Sequence, residues 1–235
     1  MLNKKLGVVG GMGPLATSIY FERVIQRTAA TKDQEHIDMI ILNHATLPDR
    51  TQAILENAPE TFLNMMQKDL STLEQLEVSN IAIPCNTSHY YIESLKEMTH
   101  VPIINMVEET VNEVEIRYGK NARVGILATN GTIFTGTYER ACEQHGLVFV
   151  KPAPEVQTLV MATIYDIKAD KAIDVSTFER IVSHMIQEEN CKCVILACTE
   201  LSLINLSDAI KSVCVDAMDI LVEKSIVYSG KKLKP

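Results

Sequence analysis

No run of apolar residues in the chain approaches the eighteen or more that a membrane-spanning helix needs, so that class is excluded. The start passes from Lys4-Lys5 straight into Gly7-Val8-Val9-Gly10-Gly11, without the apolar region and cleavage site of a secretory leader. Basic residues are in deficit. The 22 Lys and Arg against 30 Asp and Glu give a formal net charge of -8, which argues against a nucleic-acid partner. The one concentrated basic stretch, Lys231, Lys232 and Lys234, is expected to be a solvated end. CxxC pairs are also missing: Cys191 and Cys193 have the wrong spacing for a zinc knuckle and no His-x3-His accompanies them, so no metal is expected. The six cysteines (85, 142, 191, 193, 198 and 214) are therefore read as reduced thiols, and the protein as soluble and cytoplasmic.

What is present is apolar residue in quantity. At 46% of 235 residues it can build one large core or two smaller ones of roughly 100 residues each. Short β-branched runs alternate with longer stretches of helical period, the pattern of a parallel sheet with crossover helices, so the fold class is α/β. Strands are expected over 6–10, 39–43, 80–84 and 102–105, and again over 123–128, 147–150, 193–197 and 213–216. That makes two sets of four. Between them, Phe62, Met66, Leu70, Leu73 and Leu76 recur at three- and four-residue steps, with Gln67, Asp69 and Glu74 left for water. Phe178, Ile181, Val182, Met185 and Ile186 repeat the arrangement.

The halves also match in register. Gly7-Val-Val-Gly-Gly-Met-Gly-Pro resembles Gly125-Ile-Leu-Ala-Thr-Asn-Gly-Thr, and Ala82-Ile-Pro-Cys85-Asn-Thr resembles Ile195-Leu-Ala-Cys198-Thr-Glu. This predicts two pseudo-symmetric parallel-sheet domains with flanking helices, residues 1–118 and 119–216. A C-terminal helix over 217–235 is left free to pack back on the first. Ligands of open α/β sheets bind beyond the carboxyl ends of strands, so an active site is expected in the interdomain cleft.

Each motif has a plain alternative. Gly11-Met12-Gly13-Pro14-Leu15-Ala16 has the form of a dinucleotide loop, but the second strand ends in Asn43-His44 and not in the acidic residue a ribose needs. Small-anion binding by the loop amides and a purely structural turn both remain open. Cys85 and Cys198, each at a strand end before a polar turn, are singly no more than buried thiols. As a duplicated pair they are placed to approach one substrate from opposite sides. Arg50, in Pro48-Asp49-Arg50-Thr51-Gln52, offers a planar fork for a carboxylate or is simply solvated. Lys168 alone would be a surface lysine. His44 and His89 are preferred as hydrogen-bonded structural imidazoles, and nothing suggests a hydrolase triad.

With these residues in view, the sequence resembles the aspartate/glutamate racemase family, on its aspartate racemase side. The resemblance runs over nearly the whole chain and is carried by Gly10-Gly11-Met12-Gly13-Pro14, Pro48-Asp49-Arg50-Thr51, Pro84-Cys85-Asn86-Thr87-Ser88-His89, Leu127-Ala128-Thr129-Asn130-Gly131-Thr132 and Ala197-Cys198-Thr199-Glu200-Leu201. It implies interconversion of L- and D-aspartate, or glutamate, without pyridoxal phosphate or any other cofactor, by proton transfer between Cys85 and Cys198. It further implies that Met12, Arg50, Gln52, Asn86, Thr87, Thr132, Lys168 and Thr199 bind an acidic amino acid, and that the chain forms a homodimer. Glu200 joins this set as a residue placed to tune a thiol, a role the histidines could equally fill. Two rival readings stand beside it: a dicarboxylate isomerase of the maleate type, and a binding protein that holds an acidic amino acid without turning it over.

Overall fold

The computed structural model describes residues 4–234, so the ends of the expected units, residues 1–3 and 235, lie outside the described residues. The first half runs β1 (Leu6–Gly10), α1 (Pro14–Arg27), β2 (Met39–Asn43), α2 (Arg50–Leu55), α3 (Glu60–Gln75), β3 (Asn80–Ala82), α4 (Ile92–Glu97) and α5 (Met106–Tyr118). The second runs β4 (Arg123–Ala128), α6 (Asn130–Phe134), α7 (Thr137–Gln144), β5 (Val148–Val150), α8 (Pro154–Lys168), α9 (Val175–Gln187), β6 (Cys193–Ala197), α10 (Asp208–Lys211), β7 (Cys214–Asp216) and α11 (Ala217–Tyr228).

Both sheets are parallel, as uninterrupted apolar runs joined by helices require. The first has the order β2-β1-β3 and the second β5-β4-β6-β7. Leu6 pairs with Met39 on one side and Asn80 on the other, and Val124 pairs with Cys193 in the corresponding place of the second sheet. The fourth strand expected over 102–105 shrinks to a single parallel bridge between Ile81 and Ile103, although the Ile81 amide still donates to Pro102 and the Ile104 amide to Ile81. With that bridge counted, the two sheets share one topology. Pro102 supplies no donor, which is one reason the ladder stays short.

Helix α3 buries Phe62, Met66, Leu70 and Leu73, while Leu76 falls at its exposed C-terminal cap and is not part of the stripe. Asp69, expected to face water, turns to His44, whose Nδ1 lies 2.7 Å from Asp69 Oδ2. Helix α9 buries Phe178, Ile181, Val182 and Met185, and leaves Ile186 half-buried. Each of these two helices closes a core on the outer side of its own sheet. A third core is shared: Val8, Tyr20 and Ala82 pack in one cluster with Ile126, Ile195 and Leu221.

Helix α11 joins that shared core. Asp216 caps it by accepting from the Met218 amide, and also receives the Ser202 hydroxyl at 2.7 Å and Arg23 Nη1 at 2.9 Å, which ties α1 to the start of α11. Further along, Tyr20 donates its hydroxyl to Ser225 at 2.6 Å, both groups being fully buried. The helix ends at Tyr228, and the basic tail is no loose end. The Ala29 amide donates to Lys232, the Lys234 amide donates to Arg27, and Leu233 forms an antiparallel bridge with Thr28. Among the described residues no helix is long and apolar enough to cross a membrane.

Leu221, fully buried in the shared core, tests this arrangement. Leu221→Ala is expected to lower unfolding stability in urea by about 2–5 kcal/mol, the usual range for opening such a cavity. A loss near zero would remove α11 from the structural core.

Candidate active site

Six strands run toward one cleft, and each sends residues to it from beyond its carboxyl end. Met12 follows β1, Asp49, Arg50 and Thr51 follow β2, and Cys85, Asn86 and Thr87 follow β3. From the second half come Thr129 after β4, the face of α8 that carries Ile164, Tyr165 and Lys168, and Cys198, Thr199 and Glu200 after β6. The cleft is narrow. Cys85 and Cys198 line it together, and each is 5% exposed.

The glycine loop brings Met12 here. Gly11 has φ of 90°, and a Cβ on it would lie 2.4 Å from the His44 carbonyl carbon, so only glycine lets the loop pass the end of β2. Its amide is not free for an anion: Gly11 N–H donates to the Thr17 hydroxyl at 2.8 Å. Of the two readings left open, the structural turn accounts for that amide.

Around Cys198 the groups are ionic. Cys198 Sγ donates to Glu200 Oε2 at 3.0 Å, the Thr199 hydroxyl lies 3.4 Å from the same oxygen, and Lys168 Nζ lies 3.4 Å from Oε1. Burial first, then the Glu200 charge and this hydrogen bond, push the Cys198 thiol well above its ordinary range. Burial acts to lower the Lys168 ammonium, but Glu200 and the two cysteines outweigh it and the net shift is upward. Cys198 is thus held as a thiol, and Lys168 as a cation.

The groups that hold the backbone turn at Cys85 are neutral. Its carbonyl accepts from the Ser88 hydroxyl at 2.8 Å and from His89 Nδ1 at 2.8 Å. The Met106 amide donates to His89 Nε2 at 3.1 Å, so that nitrogen carries no proton and Nδ1 is the donor. Burial lowers the His89 pKa in keeping with a neutral ring. His89 is therefore a structural pin between the Cys85 turn and the start of α5. Both cysteines precede short 3-10 turns, Thr87–Tyr91 and Leu201–Leu203.

Arg50 is 8% exposed and forms no ion pair among the described residues. Its Nη1 donates to the Pro48 carbonyl at 2.9 Å, and its Nε is buried without a partner. A buried guanidinium with an unused donor fits an anionic ligand. Thr132 sits behind the cleft surface, 3.1 Å from both Thr87 and Thr129 through its hydroxyl. Gln52 does not line the cleft: it is exposed, and its amide donates to Glu56 at 2.9 Å. Asp49, Thr51, Thr129, Ile164 and Tyr165 line the cleft without having been singled out from the sequence. Thr129 had a usable signal, since it follows β4 as Gly11 follows β1, the counterpart of that strand. Among the described residues no group of three or more His, Cys, Asp or Glu could share a metal ion.

Comparison with known proteins places this geometry. The family model described as Asp/Glu/Hydantoin racemase matches residues 9–225. The chain is 29% identical over 154 residues to the broad specificity amino-acid racemase RacX of Bacillus subtilis, covering 60% of this chain and 61% of that one. It is 31% identical to a glutamate racemase of Persephonella marina over 66% of this chain and 58% of the relative. The alignments thus span about three fifths of the length of these curated relatives. Among solved structures, Picrophilus torridus aspartate racemase superposes with a TM-score of 0.82 at 28% identity, covering 98% of this chain and 96% of that one.

The ionic cluster makes a chemical prediction. In Glu200→Gln the Cys198 thiol loses a neighbouring charge, so its alkylation by iodoacetamide at mildly alkaline pH is expected to quicken roughly tenfold, read by mass spectrometry of the labelled peptide. An unchanged or slower rate would show that Glu200 does not hold the thiol.

Proposed function

The chain belongs to the Asp/Glu/hydantoin racemase family, and from that premise we propose that it interconverts the enantiomers of an acidic amino acid, aspartate foremost, by two-base proton transfer. The observation that carries the reading is the presence of two thiols in one cleft, Cys85 and Cys198, each delivered by the equivalent strand end of a duplicated sheet. In this reading the units are residues 1–118 together with α11, and residues 119–216. Each contributes one thiol.

Inverting a carbon needs a base on one face and an acid on the other. The Cys85 thiolate takes the α-hydrogen as a proton and becomes a thiol, while the electron pair of the broken bond delocalises into the substrate carboxylate. Cys198 then gives its proton to the opposite face and is left as the thiolate, ready for the reverse reaction. The hydrogen bond from Cys198 to Glu200 supports the donor role in this direction. Asn86, Thr87 and Thr199, all buried at the cleft, are the polar groups available to the charge that develops on the carboxylate. Arg50 and Lys168 favour a substrate with a second carboxylate. Glu200 already neutralises much of Lys168, so Arg50 carries most of that preference. The likeness to Picrophilus torridus aspartate racemase supports aspartate over glutamate, a difference of one methylene in pocket length. A homodimer is the assembly we propose with it, to be read by sedimentation equilibrium.

Cys85→Ser and Cys198→Ser are each expected to lower racemisation of aspartate, followed by chiral chromatography and by deuterium wash-in at Cα, by about a thousandfold. Near wild-type turnover in both variants would end the two-thiol reading, and isomerisation of maleate with no deuterium entering an amino acid would replace it with the dicarboxylate isomerase. Arg50→Ala is expected to raise KM for aspartate by about tenfold or more while affecting alanine little. Equal losses on both substrates would contradict the role given to Arg50.

A further inference from the structure

The residues that follow Cys85 are held in place from the other half of the chain. Thr87 meets the hydroxyls of Thr129 and Thr132 at 2.9 and 3.1 Å, and Tyr138 of α7 donates its hydroxyl to Asn86 Oδ1 at 2.6 Å. Tyr138 is 1% exposed and Asn86 2% exposed. A side-chain amide has an accepting end and a donating end of nearly the same shape, so its neighbours alone decide which way it faces. Here the phenol donates to Oδ1. Turned over, the amide would donate to the phenol oxygen instead, and the phenol proton would have to turn to the Thr110 hydroxyl, which is already beside it and donates its own proton to the Met106 carbonyl. With Oδ1 committed to Tyr138, Nδ2 is left buried without a protein partner, on a residue that lines the cleft beside Cys85.

We propose that Tyr138 is a positioning residue for this site: its hydroxyl locks the Asn86 amide so that Nδ2 is offered to a carboxylate oxygen of the substrate. The proposal rests on the racemase reading for the identity of that carboxylate. Tyr138 does not line the cleft, so it acts through Asn86 and not by touching substrate. Its phenol is kept protonated by burial, which raises its pKa far above the ordinary value, so the donor persists wherever the thiols work. The ring is also mechanically fixed. Beyond the end of α7, His145 lies 2.7 Å from Glu115 and 2.8 Å from Glu108 of α5, which fastens the helix at one end while Tyr138 reaches Asn86 near the other. The second half of the chain thereby sets the hydrogen-bonding sense of a residue next to the thiol of the first.

The test is a double-mutant cycle on kcat/KM for aspartate. Tyr138→Phe, which removes one oxygen atom, is expected to lower it about tenfold, and to cause no further loss in an Asn86→Ala background. Equal losses in both backgrounds would mean that Tyr138 acts through packing, and would overturn the proposal. Asn86→Asp keeps an acceptor for the phenol but has no donor for the substrate. It is expected to lose at least as much as Asn86→Ala, and wild-type kcat/KM in this variant would overturn the proposal even if Tyr138→Phe failed to fold. The lock is also read without turnover, from the Asn86 side-chain amide in nitrogen-15 spectra: sharp Nδ2 proton signals are expected in the wild type, and signals broadened by exchange between the two amide orientations in Tyr138→Phe. Identical signals would overturn it. If the wild-type protein introduces deuterium into no amino acid, the racemase reading fails separately, and the amide spectra still decide the orientation.

Discussion

Parallel pairing is the constraint from which the remainder of this structure follows. Neighbouring strands that run the same way must be joined by crossovers, and every strand then ends at the same edge of its sheet. Here two such sheets are fused through a common core, in which Val8 and Ala82 of one pack in the same cluster as Ile126 and Ile195 of the other. The carboxyl ends of β1 to β6 therefore supply one cleft between them. No single loop builds the site. Met12, Arg50, Cys85, Thr129, Lys168 and Cys198 are spread over more than 180 positions of the sequence, and they meet because each lies just past a strand or on the helix that follows one.

The fusion is polar as well as apolar. The Thr87, Thr129 and Thr132 hydroxyls form a buried triangle across the two halves, and a Cβ on Gly131 would come within 3.0 Å of Thr51 Cα. Contacts of this kind are sensitive to small displacements, because buried hydroxyls that lose their partners are not rescued by water. The same interface that closes the cleft thus fixes the register between its two walls. Helix α11 extends the tie on the far side, where Arg23 bridges Asp216 and Asp219 and the Tyr20 hydroxyl reaches Ser225.

How much of this was legible follows from the range of each interaction. The runs 6–10, 39–43, 123–128 and 193–197 agree with observed strands end to end, because each is a mainly apolar run bounded on at least one side by a polar or charged residue. The run 102–105 misled because apolar composition signals burial but not ladder length. Gln52, assigned through the family resemblance, lies outside the cleft although Arg50 lines it. Two residues apart on a helix are about 200° apart around its axis, so the residue nearest in sequence points elsewhere. The Lys232 and Lys234 side chains are solvated as expected, but the backbone bonds that tie this tail to Ala29 and Arg27 leave no trace in composition. Tyr138 and Tyr165 gave no signal at all: one meets a partner 52 residues upstream, and the other owes its place to the phase of α8. The two thiols were legible because duplication repeats local sequence as well as topology.

Duplication copies position, however, and not environment. Both thiols sit at the same depth and at equivalent strand ends, yet Cys198 gives its proton's hydrogen bond to a carboxylate, while the residues after Cys85 are neutral amide and hydroxyl groups aimed from the other half. A two-base racemase with identical thiols would have no preferred resting state. Here Glu200 stabilises the protonated form of one, and the ammonium of Lys168 limits how far that carboxylate can act by pairing with its other oxygen. The asymmetry lies in side chains that differ between the repeats, Asn86-Thr87 against Thr199-Glu200. A backbone close to twofold symmetry thus brings two thiols to one cleft, and in the two-base mechanism proposed above the residues one and two places further along would determine which of them begins as acid.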